Sequence, residues 1–308
     1  METIQFNNQT IRRWQVGAST FLAWPEVGAR LMDWHITMAD GSVRDVIHWP
    51  EDADYARPEK IRGGNPILFP FAARTFDQGD IGFWRAADGQ RRPMPMHGFC
   101  RQGNFELSDY TDKGFLATFI PDAASREAYP YDYTFTVKYR FEELALHVDF
   151  NLSNQDQERI PWAAGHHFFF ALPWHNGSSR SDYRISIPAK KALRHLDDGS
   201  LEPVKSFAPE TAFDDPELWD RIHCKLKENC VRFGPKSGDE DITLRIGHSL
   251  KPNPWSTVVT WAEHPDSPYY CVEPWMAPPN APEHQNGLHY VEPGKSDVFS
   301  VSISLMGE

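Results

Sequence analysis

The 308-residue sequence contains no long hydrophobic run and only four cysteines. No window approaches the ~20 apolar residues of a membrane-spanning helix, and no basic N-terminal region precedes a short apolar run. We therefore expect neither a membrane segment nor a secretory signal. The cysteines form no C-x-x-C pair and no disulfide framework, which favours a reducing, cytoplasmic compartment.

Positive charge is also scarce. The chain has 31 Lys and Arg residues against 43 Asp and Glu residues, a net charge of −12. Such an acidic surface argues against a nucleic-acid partner or an anionic membrane partner. The substrate is expected to be neutral, or to be an anion that a local basic patch binds.

The motifs of several enzyme classes are missing. The sequence has no G-x-S-x-G elbow, no G-x-G-x-x-G fingerprint and no H-E-x-x-H spacing. A metal site built from His97, Glu273 and either His166 or His167 is conceivable, since imidazole and carboxylate suit several divalent ions. Neighbouring residues of a strand point to opposite faces, so only one of the two adjacent histidines could take part. We expect neither a metal nor an organic cofactor.

Helical periodicity is scarce too, and the best predicted helix is a short one over Asp215–Ile222. Alternation of apolar and polar residues dominates instead. It predicts an antiparallel hairpin between Tyr133 and Leu152 and a half-buried strand over Phe299–Leu305. Shorter strands are predicted at Arg30–Thr37, Ser42–Trp49, Asn104–Asp109, Gly114–Ile120, Asp182–Ile187, Asp241–Ile246, Ser256–Trp261 and Tyr269–Val272. With no repeat and no low-complexity linker, residues 1–308 are predicted to form one all-β domain, an antiparallel sandwich or barrel.

The apolar, aromatic stretch Gly165–Leu172 is predicted to be a strand that is buried on both faces. Two imidazoles, His166 and His167, stand at its start. A histidine in such surroundings is either a core residue with a satisfied hydrogen bond or a group that titrates for a purpose.

Three further stretches could carry chemistry, and each has an ordinary structural alternative. Gly63–Arg74 predicts a tight turn and a buried strand that ends at Arg74, which could equally be a surface ion pair. His97, beside Gly98, could cap a backbone group in a turn. Glu273 ends an apolar run, where desolvation would raise its pKa and suit a general base, unless it turns to solvent. The second V-E-P tripeptide, at Glu292, is predicted to be an exposed turn.

Taken in order, these stretches resemble the aldose 1-epimerase (galactose mutarotase) family. The matching pieces are Gly63–Pro70 with Arg74, Met96–Phe99 with Arg101, Gly165-His166, Cys271–Pro274, and Pro293-Gly294 before the last strand. The resemblance implies a large galactose mutarotase-like β-sandwich. It also implies interconversion of the α and β anomers of a small-molecule sugar, without a metal or organic cofactor.

The resemblance also implies roles for individual residues. Glu273 matches the base that takes the proton from the anomeric hydroxyl, and His166 matches the acid that protonates the ring oxygen. His97 and Arg74 match residues that hold the sugar oxygens. We expect His166 to face a pocket shared with His97 and Glu273, and His167 to face the core.

The sequence departs from the family pattern in two places. His167-Phe168 replaces the usual Pro-Tyr or Ser-Tyr, so a tyrosine hydroxyl is missing there. The additional substrate-binding aspartate could be Asp214, Asp215 or Asp220.

Three alternative functions stay open. One is a mutarotase for hexose 6-phosphates, in which Arg74 and Arg101 would serve the phosphate. The others are a non-catalytic carbohydrate-binding protein on the same fold and a metal-dependent sugar isomerase of the cupin type.

Overall fold

Strands dominate the computed structural model, which describes residues 1–238, 240–249 and 251–305. The first half of the chain contributes β1 Glu2–Phe6, β2 Gln9–Val16, β3 Ser19–Trp24, β4 Arg30–Thr37, β5 Val43–Ile47, β6 Ile67–Leu68, β7 Phe76–Asp77, β8 Asp80–Ile81, β9 Phe83–Arg85, β10 Arg91–Pro93, β11 Asn104–Thr111, β12 Gly114–Ile120, β13 Tyr133–Glu142 and β14 Ala145–Asn154.

The second half contributes β15 Ile160–Trp162, β16 Gly165–His166, β17 Phe168–Ala171, β18 Tyr183–Ser186, β19 Ala189–His195, β20 Leu201–Pro203, β21 Glu210–Ala212, β22 Arg221–Leu226, β23 Cys230–Pro235, β24 Ile242–Ile246, β25 Thr257–Trp261, β26 Tyr269–Trp275, β27 His289–Val291 and β28 Ser296–Ser304. The helical elements of the described residues are α1 Ala123–Ala128, α2 Ala281–His284 and 3-10 turns at Pro58–Lys60, Cys100–Gln102, Arg180–Asp182 and Pro216–Leu218. None of these helices is long and apolar enough to cross a membrane.

Two large antiparallel sheets form the body of the protein. Sheet I has the order β1-β2-β3-β4-β5-β17-β26-β25-β22-β19-β20, and β16 and β6 join it beside β26. Sheet II has the order β11-β12-β13-β14-β28-β24-β23-β18-β21. Apolar side chains from both sheets form one large core cluster, so the predicted all-β sandwich is confirmed.

Alternation located the central strands of sheet II correctly. The predicted hairpin is β13 and β14, in which Phe141 pairs with Leu146. The predicted C-terminal strand is β28, which lies beside β14. One face of β13 is buried through Phe135 and Val137, as period-two patterning requires.

The helix predicted over Asp215–Ile222 is wrong. Its beginning is only a 3-10 turn, Pro216–Leu218, in which the Glu217 amide donates a hydrogen bond to the Asp215 side chain. Asp220 then takes a left-handed conformation (φ +49°), and Ile222 already pairs with Val259 in sheet I. A single helical turn gains little by itself, so strand pairing decides the conformation of this segment.

The structure also contains strands that alternation did not reveal. β1, β2 and β3 form the edge of sheet I. A tight turn at Asn7 and Asn8, both with positive φ, joins β1 to β2. Asparagine tolerates this conformation better than most residues, which makes an Asn-Asn pair a usable hairpin signal.

Candidate active site

A cavity of about 250 Å³ opens on the face of sheet I that points away from sheet II. Its floor is a row of side chains on adjacent strands: Ile222 pairs with Val259, and Val259 pairs with Glu273. His167, between β16 and β17, continues the row beyond Glu273. Gly165 leaves room for the ring of Trp275, which lines the cavity, because a Cβ at Gly165 would lie 2.4 Å from that ring.

The structure places His167, and not His166, in this cavity, so the predicted register is wrong by one residue. Gly165 pairs with Trp275 and Phe168 pairs with Val272, which puts His167 directly opposite Glu273. Directly opposed residues share a face of the sheet. Because residues on both faces of this stretch are buried and aromatic, apolar alternation carried no signal for which histidine faces outward.

His166 is a core histidine. It is fully buried, and its ring centroid lies 4.1 Å from that of Phe150 in sheet II and 5.0 Å from that of Phe168. Its Nδ1 lies 3.0 Å from the Asn65 side-chain nitrogen, and burial holds its pKa well below the usual value. It is therefore a neutral ring that accepts a hydrogen bond from Asn65.

His167 and Glu273 form the polar centre of the cavity. The His167 Nε2 and Glu273 Oε1 atoms are 3.4 Å apart, and Glu273 is only 2% exposed. Burial raises the pKa of Glu273 well above its usual value, and the charge of Asp220 raises it further. Burial, followed by His97 and Arg101, lowers the pKa of His167 well below its usual value. Both groups thus favour their neutral forms.

One atom of each side chain is left without a partner. Glu273 Oε2 and His167 Nδ1 are buried and make no hydrogen bond within the described part of the chain. Leaving such atoms unpaired costs free energy, on the order of 1–3 kcal/mol each. A site that carries this cost is suited to a polar ligand that satisfies both atoms.

His97 both caps a backbone group and lines the cavity. It has a positive φ of +68°, and its Nδ1 accepts a hydrogen bond from the Ala73 amide at 3.0 Å. Burial, helped by three nearby arginines, lowers its pKa to about 3. The ring is therefore neutral with its proton on Nε2. Gly98 is needed for this turn, since a Cβ there would lie 1.9 Å from the Phe69 carbonyl oxygen.

Three guanidinium groups surround the cavity. Arg74 lines it and also forms a 3.2 Å ion pair with the fully exposed Asp197, so the surface ion pair is present. Arg62 pairs with Glu263 at 3.3 Å. Arg101 has no carboxylate in ion-pair distance among residues 1–238, 240–249 and 251–305. Arg62 was not identified from the sequence; its position just before the paired glycines was the available signal.

Of the three candidate aspartates, Asp220 lines the cavity. Asp220 is exposed at the start of β22, where partial desolvation raises its pKa, and its charge acts on Glu273. Asp215 instead caps the neighbouring 3-10 turn, and Asp214 is exposed outside the cavity.

Asn65 links the core to the cavity. Its amide nitrogen donates to the Tyr139 hydroxyl at 3.0 Å and lies 3.0 Å from His166 Nδ1, while its oxygen accepts from the His167 amide at 3.2 Å. The His167 amide thus donates to the Asn65 side chain on the side of the chain away from Pro274. Asn65 therefore holds the backbone that carries His167.

We expect Asn65→Ala to lower the free energy of unfolding by about 2–4 kcal/mol, because several buried polar groups lose their partner at once. Urea denaturation followed by circular dichroism measures the loss. Gln157→Ala, at an exposed amide side chain, is the matched control and should change stability by less than about 0.5 kcal/mol. Equal stability of the two variants would contradict the bridging role of Asn65.

The site thus combines a buried carboxyl–imidazole pair, neutral and cationic donors around it, and an all-β sandwich that carries them on one sheet face. The family model of aldose 1-epimerase matches residues 15–304, and the chain belongs to that family.

Individual relatives are similar over most of the chain. The LacX protein of Lactococcus lactis subsp. lactis is 26% identical over 254 residues, which are 76% of this chain and 80% of LacX. A galactose mutarotase related enzyme from Lactobacillus acidophilus has the same fold, with a TM-score of 0.76 at 21% identity over 96% of this chain and 97% of the other. A galactose mutarotase-like protein from Lactobacillus casei gives a TM-score of 0.75 at 21% identity, covering 96% and 100% of the two chains.

Proposed function

We propose that the protein interconverts the α and β anomers of an aldose, with His167 and Glu273 as its acid–base pair. The observation that carries the proposal is the 3.4 Å contact between the two side chains at the floor of a buried cavity. Ring opening removes a proton from the anomeric hydroxyl and delivers one to the ring oxygen. Both oxygens are bonded to the same carbon, so the acid and the base must converge, as these two groups do.

The pair needs to hold only one proton. With the proton on His167 and Glu273 ionised, the sugar can open: Glu273 takes the hydroxyl proton and the imidazolium protonates the ring oxygen. Both protein groups are then neutral, which is the form that burial favours. The buried environment therefore stabilises the neutral pair that is present once the sugar ring has opened to the aldehyde. Rotation about the C1–C2 bond and reversal of the transfers give the other anomer.

The surrounding side chains suit a monosaccharide. The Nε2–H of neutral His97 and the guanidinium of Arg74 can donate to sugar oxygens, and Asp220 can accept from a sugar hydroxyl. The cavity volume of about 250 Å³ lies below the ~300–1,000 Å³ that is typical of ligand sites, so the cavity suits a small ligand such as a monosaccharide.

A hexose 6-phosphate is the second candidate substrate. Three arginines line the cavity and favour a phosphorylated substrate. One of them, Arg101, has no carboxylate partner in the described residues. Guanidinium groups bind phosphate oxygens through paired, charge-assisted hydrogen bonds. A neutral hexose would leave Arg101 without an anionic partner in the described residues.

Polarimetry on freshly dissolved α-glucose, α-galactose and their 6-phosphates tests both candidates. We expect at least one of these sugars to equilibrate faster with the protein than in buffer. If the phosphorylated forms alone respond, the arginines serve a phosphate. If calorimetry detects sugar binding while no anomer equilibrates faster, the protein is a carbohydrate-binding protein and the proposal fails.

The pH profile tests the electrostatics of the pair. The active pair holds one proton, so kcat/KM should fall as the pH rises through the raised pKa of Glu273 and that proton is lost. Asp220→Asn removes a negative charge that raises the pKa of Glu273. We therefore expect this variant to shift the alkaline limb to lower pH. Asp214→Asn, at an exposed position outside the cavity, should leave the limb in place, and a shift of equal size there would contradict the assignment.

A further inference from the structure

Cys271 lies close to the acid–base pair, and the three side chains form a cluster that could bind a metal ion. One ligand atom from each of His167, Cys271 and Glu273 lies within 4.8 Å of the other two. Cys271 and Glu273 are two residues apart on β26 and point to the same face, where His167 is directly opposite Glu273. Cys271 is a free, fully buried thiol.

We propose that these three side chains form a binding site for a soft divalent cation such as Zn²⁺, which inhibits the protein reversibly. The inhibitory part rests on the anomer interconversion proposed above. A nitrogen, a thiolate and a carboxylate oxygen form a ligand set that zinc accepts in proteins, commonly with a fourth position open to the solvent or substrate. Here the open position faces the cavity, since His167 and Glu273 line it.

The distances fit this geometry. Two ligands that each lie about 2.0–2.1 Å from a tetrahedral zinc ion are about 3.3–3.4 Å apart. His167 Nε2 and Glu273 Oε1 are 3.4 Å apart without any movement. The thiol Sγ lies within 4.8 Å of both of these ligand atoms, and the thiol and the Glu273 carboxyl release their protons to solvent on binding. Glu273 is only 2% exposed, and its Oε2 atom has no hydrogen-bond partner in the described residues.

Inhibition follows from the identity of the ligands. A cation held by His167 and Glu273 blocks the nitrogen that would donate a proton to the ring oxygen and the carboxylate that would take the hydroxyl proton. Bound metal and proton transfer therefore exclude each other at this site. Because each positioned proton transfer typically contributes about 10²–10⁴-fold, saturating zinc should slow anomer interconversion by about 10²-fold or more. A chelator should restore the rate.

Cobalt(II) spectroscopy on the purified full-length protein tests the site without any sugar. We expect one equivalent of Co²⁺ to give a thiolate-to-metal charge-transfer band, and Zn²⁺ to displace it. Cys271→Ser and Cys271→Ala should remove the band and weaken zinc binding at least about tenfold in competition with a chromophoric chelator. Cys224→Ser, at a buried thiol of β22 outside the cluster, should keep both.

The outcomes separate the two proposals. A second cluster, Asp33, His35 and Asp45, contains no thiol, so any cation held there gives no such band. A band that persists in both Cys271 variants, or zinc saturation that leaves the rate unchanged, would overturn the inference. If the protein accelerates no sugar, the proposed function fails, and the spectrum alone then decides the cation site.

Discussion

His167→Gln is expected to slow anomer interconversion by about 10²–10⁴-fold, the usual contribution of a positioned acid or base. The neutral amide keeps the polarity and much of the volume of the imidazole but cannot exchange a proton with the ring oxygen. Its neighbour offers a matched control, since His166→Gln makes the same chemical change one residue earlier, on the opposite face of the strand. Initial rates by polarimetry compare the two variants with the wild-type protein.

His166→Gln should keep the rate within a few-fold while it lowers the free energy of unfolding. Its ring stacks between Phe150 and Phe168 and accepts a hydrogen bond from Asn65, so the cost is one of packing and burial, about 1–3 kcal/mol. A folded His166→Gln protein with a rate as low as that of His167→Gln would return the acid role to His166.

Glu273→Gln is expected to lower the rate by a similar factor of about 10²–10⁴, because an amide cannot take the proton of the anomeric hydroxyl. The sequence supplies its own control in the second V-E-P tripeptide. Glu292→Gln makes the same change in an exposed turn, as its predicted position is confirmed, and should leave the rate unaltered. Retained activity in Glu273→Gln would move the base to another residue.

The same variant has a second readout in stability. The pKa of Glu273 is raised in the folded state, so between its unfolded and folded pKa values the native protein holds a proton that the unfolded chain has lost. This carboxyl therefore makes the wild-type protein less stable as the pH rises above the unfolded value. We expect Glu273→Gln to gain stability relative to wild type from pH 5 to pH 8, measured by urea unfolding. A gain that does not grow with pH would contradict the buried, proton-holding carboxyl.

Much of the fold was predictable because its central strands are half-buried. In β13, β14 and β28 one face meets the core and the other meets solvent, so apolar and polar residues alternate along the chain. The carboxylate, Glu273, and the turn histidine, His97, were predictable from local chemistry. Each is a polar residue in a stretch whose neighbours are apolar or conformationally restricted.

The short segment after Asp215 was not predictable in this way. Its proline and acidic residues are typical of a helix start, but its conformation depends on pairing with β25, which lies some forty residues further along the chain. Asp220 could be selected among three aspartates only after that pairing had placed it beside Glu273.

The sequence by itself determined that an apolar, aromatic stretch carries two adjacent imidazoles and that a carboxylate follows another apolar run. Which imidazole meets that carboxylate was decided only by tertiary structure. The pairing of Gly165 with Trp275 and of Phe168 with Val272 puts His167 opposite Glu273 and leaves His166 between the sheets. The physical reason is the two-residue period of a strand: where both faces are buried, composition does not distinguish them, and only the partner strand sets the register.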